Sequence, residues 1–173
     1  MTDAAIAWTI CDTSLGRLLV AATARGVCHV RFGDAEADLE TALAAEFPYA
    51  VLRRDPGALT PWSDALVAWV DGRGGSPDVP LDVRGSAFQR RVWQALRAIP
   101  RGATRSYGEL ATSLGQPGAA RAVARACAAN PVALAIPCHR VVPRNGEPGG
   151  YRWGAWRKRA LLARESALGD VPA

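Results

Sequence analysis

Ser106-Tyr107-Gly108-Glu109-Leu110-Ala111 opens a short helix that Leu114-Gly115 closes. Gln116-Pro117-Gly118 then turns the chain, and a second helix runs over 119–129, up to Asn130-Pro131. Two short helices around a tight glycine-containing turn are the sequence form of a helix-turn-helix, although many other helical hairpins share it. The second helix reads Ala119-Ala120-Arg121-Ala122-Val123-Ala124-Arg125-Ala126-Cys127-Ala128-Ala129. Alanine is the strongest helix former and presents a thin surface. A thin helix with Arg121 and Arg125 one turn apart suits close insertion into a nucleic-acid groove. It equally suits tight packing inside a protein, and the residues alone do not choose.

Just beyond lies the stretch richest in chemistry, Pro137-Cys138-His139-Arg140-Val141-Val142, preceded by Leu134-Ala135-Ile136. It reads as a short apolar strand. Burial among aliphatics raises a thiol's pKa, whereas a base or positive charge in contact favours the nucleophilic thiolate. His139 and Arg140 are the adjacent candidates. Neighbours on a strand point to opposite faces, so direct contact between Cys138 and His139 is not guaranteed and a bridging water is an alternative. Glu165, in a C-terminal helix, is a candidate to orient the histidine, completing a nucleophile, base and acid set.

Charge divides the chain. Residues 1–84 carry seven arginines against twelve carboxylates, a net of −5; residues 85–173 carry a net of +10. A basic second half points to a polyanion such as nucleic acid, or less specifically to a solvated basic face. No apolar run approaches the roughly 20 residues that span a bilayer. The start, Met1-Thr2-Asp3-Ala4, lacks the basic and apolar regions of a secretion signal, so a cytoplasmic location with no membrane partner is expected. Cys11, Cys28, Cys127 and Cys138 include no CxxC pair, and His29 and His139 are the only histidines. A dedicated zinc site is therefore hard to assemble. Free thiols are expected, with the first three as small buried hydrophobes.

The first half predicts a small antiparallel meander over 5–10, 17–23 and 27–32, punctuated by Thr13-Ser14-Leu15-Gly16 and Arg25-Gly26. A helix is expected over 35–47, capped by Asp34 and burying Leu39, Leu43 and Phe47. Pro61 is expected to open a second helix through Trp62, Leu66 and Trp69, ending near Gly72. Gly72-Arg73-Gly74-Gly75-Ser76-Pro77 is a linker candidate or a surface loop, followed by a short strand from Val79 to Val83. A helix over 87–98, capped by Ser86, would bury Phe88, Val92, Trp93 and Leu96. The fold class is thus a two-part α/β arrangement. Residues 1–78 form a small N-terminal domain with an antiparallel sheet and flanking helices. Residues 79–173 form a mainly helical C-terminal domain with the helix-turn-helix.

Residues 82–165 resemble the alkyltransferase domain of the O6-alkylguanine-DNA alkyltransferases throughout. The landmarks are Phe88-Gln89-Arg90-Arg91-Val92-Trp93, Ser106-Tyr107-Gly108-Glu109-Leu110-Ala111, Ala120-Arg121-Ala122-Val123, Asn130-Pro131, Ile136-Pro137-Cys138-His139-Arg140-Val141-Val142, Gly150-Tyr151 and Lys158-Arg159-Ala160-Leu161-Leu162-Ala163-Arg164-Glu165. Each alone is modest; in this order and spacing they are highly specific. Arg152-Trp153-Gly154 is nearer to the alkyltransferase half of the bacterial adaptive-response (Ada) branch than to the animal enzymes. The N-terminal half matches the family's variable domain only in outline.

The resemblance implies a methylated-DNA–protein-cysteine S-methyltransferase that acts once per molecule, with no cofactor and no metal, as a monomer on double-stranded DNA containing alkylated bases. Cys138 would accept the alkyl group, activated by His139 through a water with Glu165 behind it. Asn130 would brace the active-site turn, and Tyr107 would help rotate the nucleotide and donate a proton to the leaving guanine. Arg121 would fill the gap in the duplex, with Ala120, Ala122, Ala124 and Arg125 along the docking helix. Val141, Val142 and Tyr151 would wall and cover the pocket; Arg152 would touch phosphate or cover the loop. Relatives with a structural zinc hold it in the N-terminal domain, where this chain offers Thr23 and Cys28. Trp153 stands where animal enzymes have glycine, an expected obstacle to free O6-benzylguanine. A non-catalytic sensor of alkylated DNA and a DNA-binding regulator are the alternatives. Cys138 argues against the first, and the lack of an evident four-cysteine zinc module against the second.

Overall fold

The structure, a computed structural model, describes residues 4–167 of the 173. The chain divides into two compact units. One comprises residues up to 83 together with 131–135; the other comprises 84–130 and the residues from 136 onward.

In the first unit β1 (Ala5–Thr13), β2 (Gly16–Ala22) and β3 (Val27–Gly33) pair antiparallel in succession. Thr13 pairs with Gly16 across a two-residue turn, and Gly16 takes φ 102°, a conformation that only glycine adopts cheaply. α1 (Glu36–Glu46) carries the chain from one sheet edge to the other, where β4 (Val51–Arg54) pairs parallel with β1 in the order β3-β2-β1-β4. Leu39 and Leu43 of α1 are buried with Ile6, Trp8, Leu19, Ala21 and Cys28. Leu18 and Val20, alternating with Leu19 and Ala21 along β2, are also fully buried, and α2 (Pro56–Val70) packs on β1 and β2. Residues 131–135 add to this unit through Val30, whose N–H donates to Pro131 O at 3.0 Å and whose carbonyl accepts from Ala133 N at 3.1 Å.

Several expectations are corrected here. Ala35, not Asp34, is the N-cap of α1, and no side chain caps it. α2 begins five residues before Pro61: Asp55 accepts from Ala58 N at 3.2 Å, and Pro56 takes the first helical position. Asp-Pro is the stronger start signal because it joins a capping carboxylate to a preset φ, and Pro61 is carried inside the helix. The segment from Val79 to Val83 contributes a single bridge, Val27 to Leu81, rather than a strand. Gly72–Pro77 is a loop of the first unit. β4 was not anticipated; it is an edge strand whose Val51, Arg53 and Arg54 are exposed, so it shows no alternation of apolar and polar residues.

The second unit contains α3 (Ala87–Arg97), β5 (Arg105–Ser106), α4 (Tyr107–Ser113), α5 (Ala120–Ala128), β6 (Val141–Val142) and α6 (Ala155–Ala167). Capping boxes start two of its helices: Ser86 with Gln89 for α3, and Ser106 with Glu109 for α4. In each, the hydroxyl accepts the third helical N–H while the longer side chain accepts from the cap's own N–H. Gly115, at φ 76°, ends α4 in the left-handed conformation and lets the chain turn into α5. Val92, Trp93 and Leu96 of α3 are buried, Phe88 only half so, and α5 packs on both α3 and α4. Trp93 Nε1 donates to Ala126 O at 2.9 Å, fixing the height of α3 on α5.

Ser106→Ala should lower stability by about 1 kcal/mol, because one N–H of α4 loses its acceptor. Urea unfolding midpoints of the two proteins measure this; an unchanged midpoint would show that the capping box contributes nothing.

Candidate active site

Cys138, His139 and Arg140 form one turn of 3₁₀ helix, and only Val141 and Val142 are strand, pairing parallel with Arg105 and Ser106. The expectation of an apolar strand around Cys138 is therefore corrected. Pro137, at φ −81° and ψ 62°, centres an inverse γ-turn in which Cys138 N donates to Ile136 O at 2.8 Å. Leu134, at φ 74°, lies in the left-handed region while Ala135 N donates to Ala133 O at 2.8 Å. Apolar side chains hide these turns from a reading of periodicity. With about three residues per turn the side chains fan out, so cysteine and histidine are not set on opposite faces of a strand.

His139 and Arg140 both reach Glu165 on α6. His139 Nε2 lies 2.8 Å from Oε1; Arg140 Nη2 donates to Oε1 at 2.9 Å and Nε to Oε2 at 3.1 Å. Arg140 Nη1 also donates to Ile99 O at 2.7 Å. All three side chains are buried. Burial alone would push Glu165 up, yet the hydrogen bonds from His139 and Arg140 and the guanidinium charge outweigh it and hold the carboxyl well below its ordinary value. Burial pushes His139 below its ordinary value, partly offset by Glu165. An ionised carboxylate only accepts, so neutral His139 donates from Nε2 and Nδ1 carries the lone pair.

Arg140 is thus committed to Glu165 rather than to the thiol. Burial raises the Cys138 thiol, and four features oppose it: a hydrogen bond from Asn130, the charge of Lys158, a backbone hydrogen bond at Cys138 and the charge of Arg152. Asn130 Nδ2 donates to Cys138 Sγ at 3.2 Å and to Ile136 O at 2.8 Å, so one amide holds both the turn and the sulfur. Tyr107, the first residue of α4, is half-buried. Burial, with the thiols of Cys127 and Cys138, pushes its hydroxyl up to about 12. Tyr151 packs edge-on to Trp153 at 5.1 Å, and burial raises its phenol well above the ordinary value, with Cys138 and Glu165 adding to the effect. Among the described residues, Tyr151 Oη and Trp153 Nε1 are buried without a protein hydrogen-bond partner. Val141 is buried and Val142 half-buried; Arg152 is exposed.

On α5, Val123, Ala126 and Cys127 face inward while Arg121 and Arg125 are exposed, flanked by half-buried Ala120, Ala122 and Ala124. Lys158, the chain's single lysine, had not been singled out for a role. It is buried, donates from Nζ to Gly150 O at 3.2 Å, and stands seven residues before Glu165 on the same helix. That spacing puts both on one face and was the available signal. In the first unit, Thr23 Oγ1 donates to Asp82 Oδ2 at 2.5 Å, and burial with Asp82 pushes the Cys28 thiol up to about 12. Among the described residues no group of three or more His, Cys, Asp or Glu is placed to hold a metal ion. No helix of the described residues is long and apolar enough to cross a membrane.

Residues 87–167 match the family model described as 6-O-methylguanine DNA methyltransferase, DNA binding domain. A methylated-DNA–protein-cysteine methyltransferase of Mycobacterium bovis is 52% identical over 113 residues, 65% of this chain and 68% of that protein. The chain belongs to the O6-methylguanine-DNA methyltransferase family. It is also 46% identical over 162 residues to the bifunctional transcriptional activator/DNA repair enzyme Ada of Escherichia coli, covering 94% of this chain but 46% of that protein. The chain thus spans about half the length of the Ada-type relatives it matches. Among solved structures, Mycobacterium tuberculosis OGT in complex with DNA superposes with a TM-score of 0.79 at 39% identity, over 94% of this chain and 93% of that one. The methyltransferase family assignment and the two-part α/β fold agree.

The buried triangle has a definite pH signature. A carboxyl held below its ordinary value of 4.5 stabilises the fold above that value and loses its contribution as pH falls from there through the lowered one. Glu165→Gln should therefore be markedly less stable than wild type at pH 7. The gap in urea midpoints should narrow as pH falls below about 4.5. A gap constant with pH would show that the ionised carboxylate contributes nothing.

Proposed function

We propose that this chain repairs DNA by direct reversal, moving the alkyl group of O6-alkylguanine, and of O4-alkylthymine, irreversibly onto Cys138. The observation that carries this reading is a buried cysteine held at Sγ by Asn130, beside a neutral histidine fixed by a buried carboxylate, in a chain of the methyltransferase family. The sulfur attacks the alkyl carbon, forming S–C as the C–O6 bond breaks. His139 Nδ1 takes the thiol proton through a water, Tyr107 supplies a proton to the departing guanine, and the imidazolium proton then returns through solvent to the tyrosinate, so the net transfer is of the thiol proton to the base. The thioether has no good leaving group, hence one turnover per molecule. Nothing in this sequence of steps requires a cofactor.

An alkyl carbon on O6 is unreachable inside the stack, so the base must be extruded at a cost of a few kcal/mol. The helix-turn-helix of α4 and α5 is the docking element we assign. Arg121 takes the place of the extruded base, Arg125 supports it, and Ala120, Ala122 and Ala124 allow close approach. Exposure of both arginines, with Val123, Ala126 and Cys127 buried behind them, supports that use. Val141, Val142, Tyr151 and Trp153 wall the base pocket, and the buried Tyr151 and Trp153 donors are available to a bound base. Residues 79–173 carry the chemistry; the protein acts as a monomer in the cytoplasm.

Mixing the protein with a duplex containing one O6-methylguanine should add a single methyl mass to the Cys138 peptide, saturating at one per molecule. Cys138→Ser should bind the same duplex and leave the methyl group on the base. Tight binding of the wild type with no mass gain would instead establish a non-catalytic sensor. Label on another cysteine of the variant would overturn the assignment of Cys138. Arg121→Glu should slow transfer at least tenfold, about the effect of a lost anchoring contact, with little change in melting temperature. An unchanged transfer rate in the folded variant would remove Arg121 from base extrusion.

A further inference from the structure

Three cationic side chains tie down the loop of residues 150–154, each through a main-chain carbonyl. Lys158 Nζ donates to Gly150 O at 3.2 Å and Arg157 Nη1 to Trp153 O at 2.8 Å, pinning the loop to α6. The third tie differs in reach. Arg152 Nη1 donates to Asn130 O at 3.0 Å, across 22 residues. Asn130 stands one residue beyond the C-cap of α5, where helix carbonyls lack partners and a cation is favoured. Its side-chain amide is the group that holds Cys138 Sγ. The same Arg152 guanidinium lies 5.6 Å over the Trp153 ring, which meets Tyr151 edge-on. One planar cation therefore touches the residue that holds the sulfur and the aromatic pair in the loop. A guanidinium can donate in its plane and stack across it at once; an ammonium cannot.

We propose that Arg152 is a positioning residue that latches loop 150–154 to the end of α5, holding the Tyr151–Trp153 pair in place and keeping Asn130 on the Cys138 sulfur. This rests on Cys138 being the alkyl acceptor. The competing use of an exposed arginine is a phosphate contact, which would act only when DNA is bound. The latch acts on the thiol without DNA, and that difference makes the two separable. The groups facing Cys138 are Asn130 and Cys127 from the α5 side, Lys158 from α6, Tyr107 from α4, Arg152 and Tyr151 from the loop, and His139 next in the chain. Lys158 and Arg152 are the cations among those that favour the thiolate.

The test uses the whole chain with Arg152→Ala and Arg152→Lys, after melting curves confirm folding. Without DNA, the pH dependence of Cys138 alkylation by iodoacetamide is followed on the Cys138 peptide. With DNA, methyl transfer and the salt dependence of binding are measured. For Arg152→Ala the alkylation midpoint should move to higher pH. Methyl transfer at pH 7 should slow by about fivefold to tenfold, the effect of one charge-assisted hydrogen bond, with the salt slope of binding unchanged. Arg152→Lys should restore the alkylation midpoint but not the transfer rate, since it returns charge without the stacked fork. An unchanged alkylation profile in Arg152→Ala, with the salt slope reduced by about one, would overturn the latch in favour of a phosphate contact. If the wild type accepts no methyl group while Arg152→Ala still shifts the alkylation profile, the latch stands and the repair reading falls.

Discussion

A carboxylate taken out of water costs several kcal/mol unless its oxygens are satisfied, and Glu165 is satisfied from two sides at once. Arg140 grips both oxygens through its fork, and His139 donates to one of them. The same Arg140 reaches back to the Ile99 carbonyl at the end of α3. This triangle joins the end of α3, the turn that bears Cys138, and α6. Removing any one member leaves a buried charge or donor without compensation, so each partner holds the other two in place. The rotamer and tautomer of His139 follow from it: Nε2 faces a carboxylate that can only accept, and the basic nitrogen is the other one.

Arg140 therefore answers a question that adjacency in the sequence left open. A guanidinium two residues from a thiol invites the idea that it makes the thiolate. Here it neutralises Glu165 instead, and by doing so it also keeps His139 neutral. Two positive groups around one carboxylate would be costly in a buried site. With Arg140 supplying the charge, burial tips the imidazole towards its uncharged form. A neutral imidazole can take a proton; an imidazolium could not.

The thiol itself is set by opposed effects of similar kind. Burial raises it, while Asn130, Lys158 and Arg152 pull the other way, and burial prevails. At neutral pH the resting sulfur is protonated. A standing thiolate would be consumed by any small electrophile, and a protonated thiol is spared that fate. Under the function proposed above, the nucleophile would be generated when a proton path is completed, with His139 as its base.

Much of this was legible in the sequence, for identifiable physical reasons. The meander over β1 to β3, the Ser86 cap and the two helices around Gly115 follow from alternation, capping and a left-handed glycine, all local effects. His139 and Glu165 are legible as partners from the residues themselves and Asn130 from a family pattern; the structure joins His139 to Glu165 and puts the Asn130 amide on the Cys138 sulfur. The hidden parts are those where a local rule loses to a neighbour distant in the chain. β4 is a strand because β1 offers it an edge, not because its own residues alternate. Cys138 leaves the strand because Pro137 closes a γ-turn and Asn130, eight residues earlier, bonds the Ile136 carbonyl. In the sequence Lys158 stands only as one residue of the C-terminal helix. Its ammonium is buried because the Gly150 carbonyl and the nearby thiol give it company that a periodicity pattern does not show. Among the chain's 21 basic residues it is the single lysine, in the place where a compact, strongly hydrated charge costs most to bury. Its burial is tolerated because its partners lie on the loop and the turn around Cys138, so one face of α6 holds both, Lys158 at one end and Glu165 at the other.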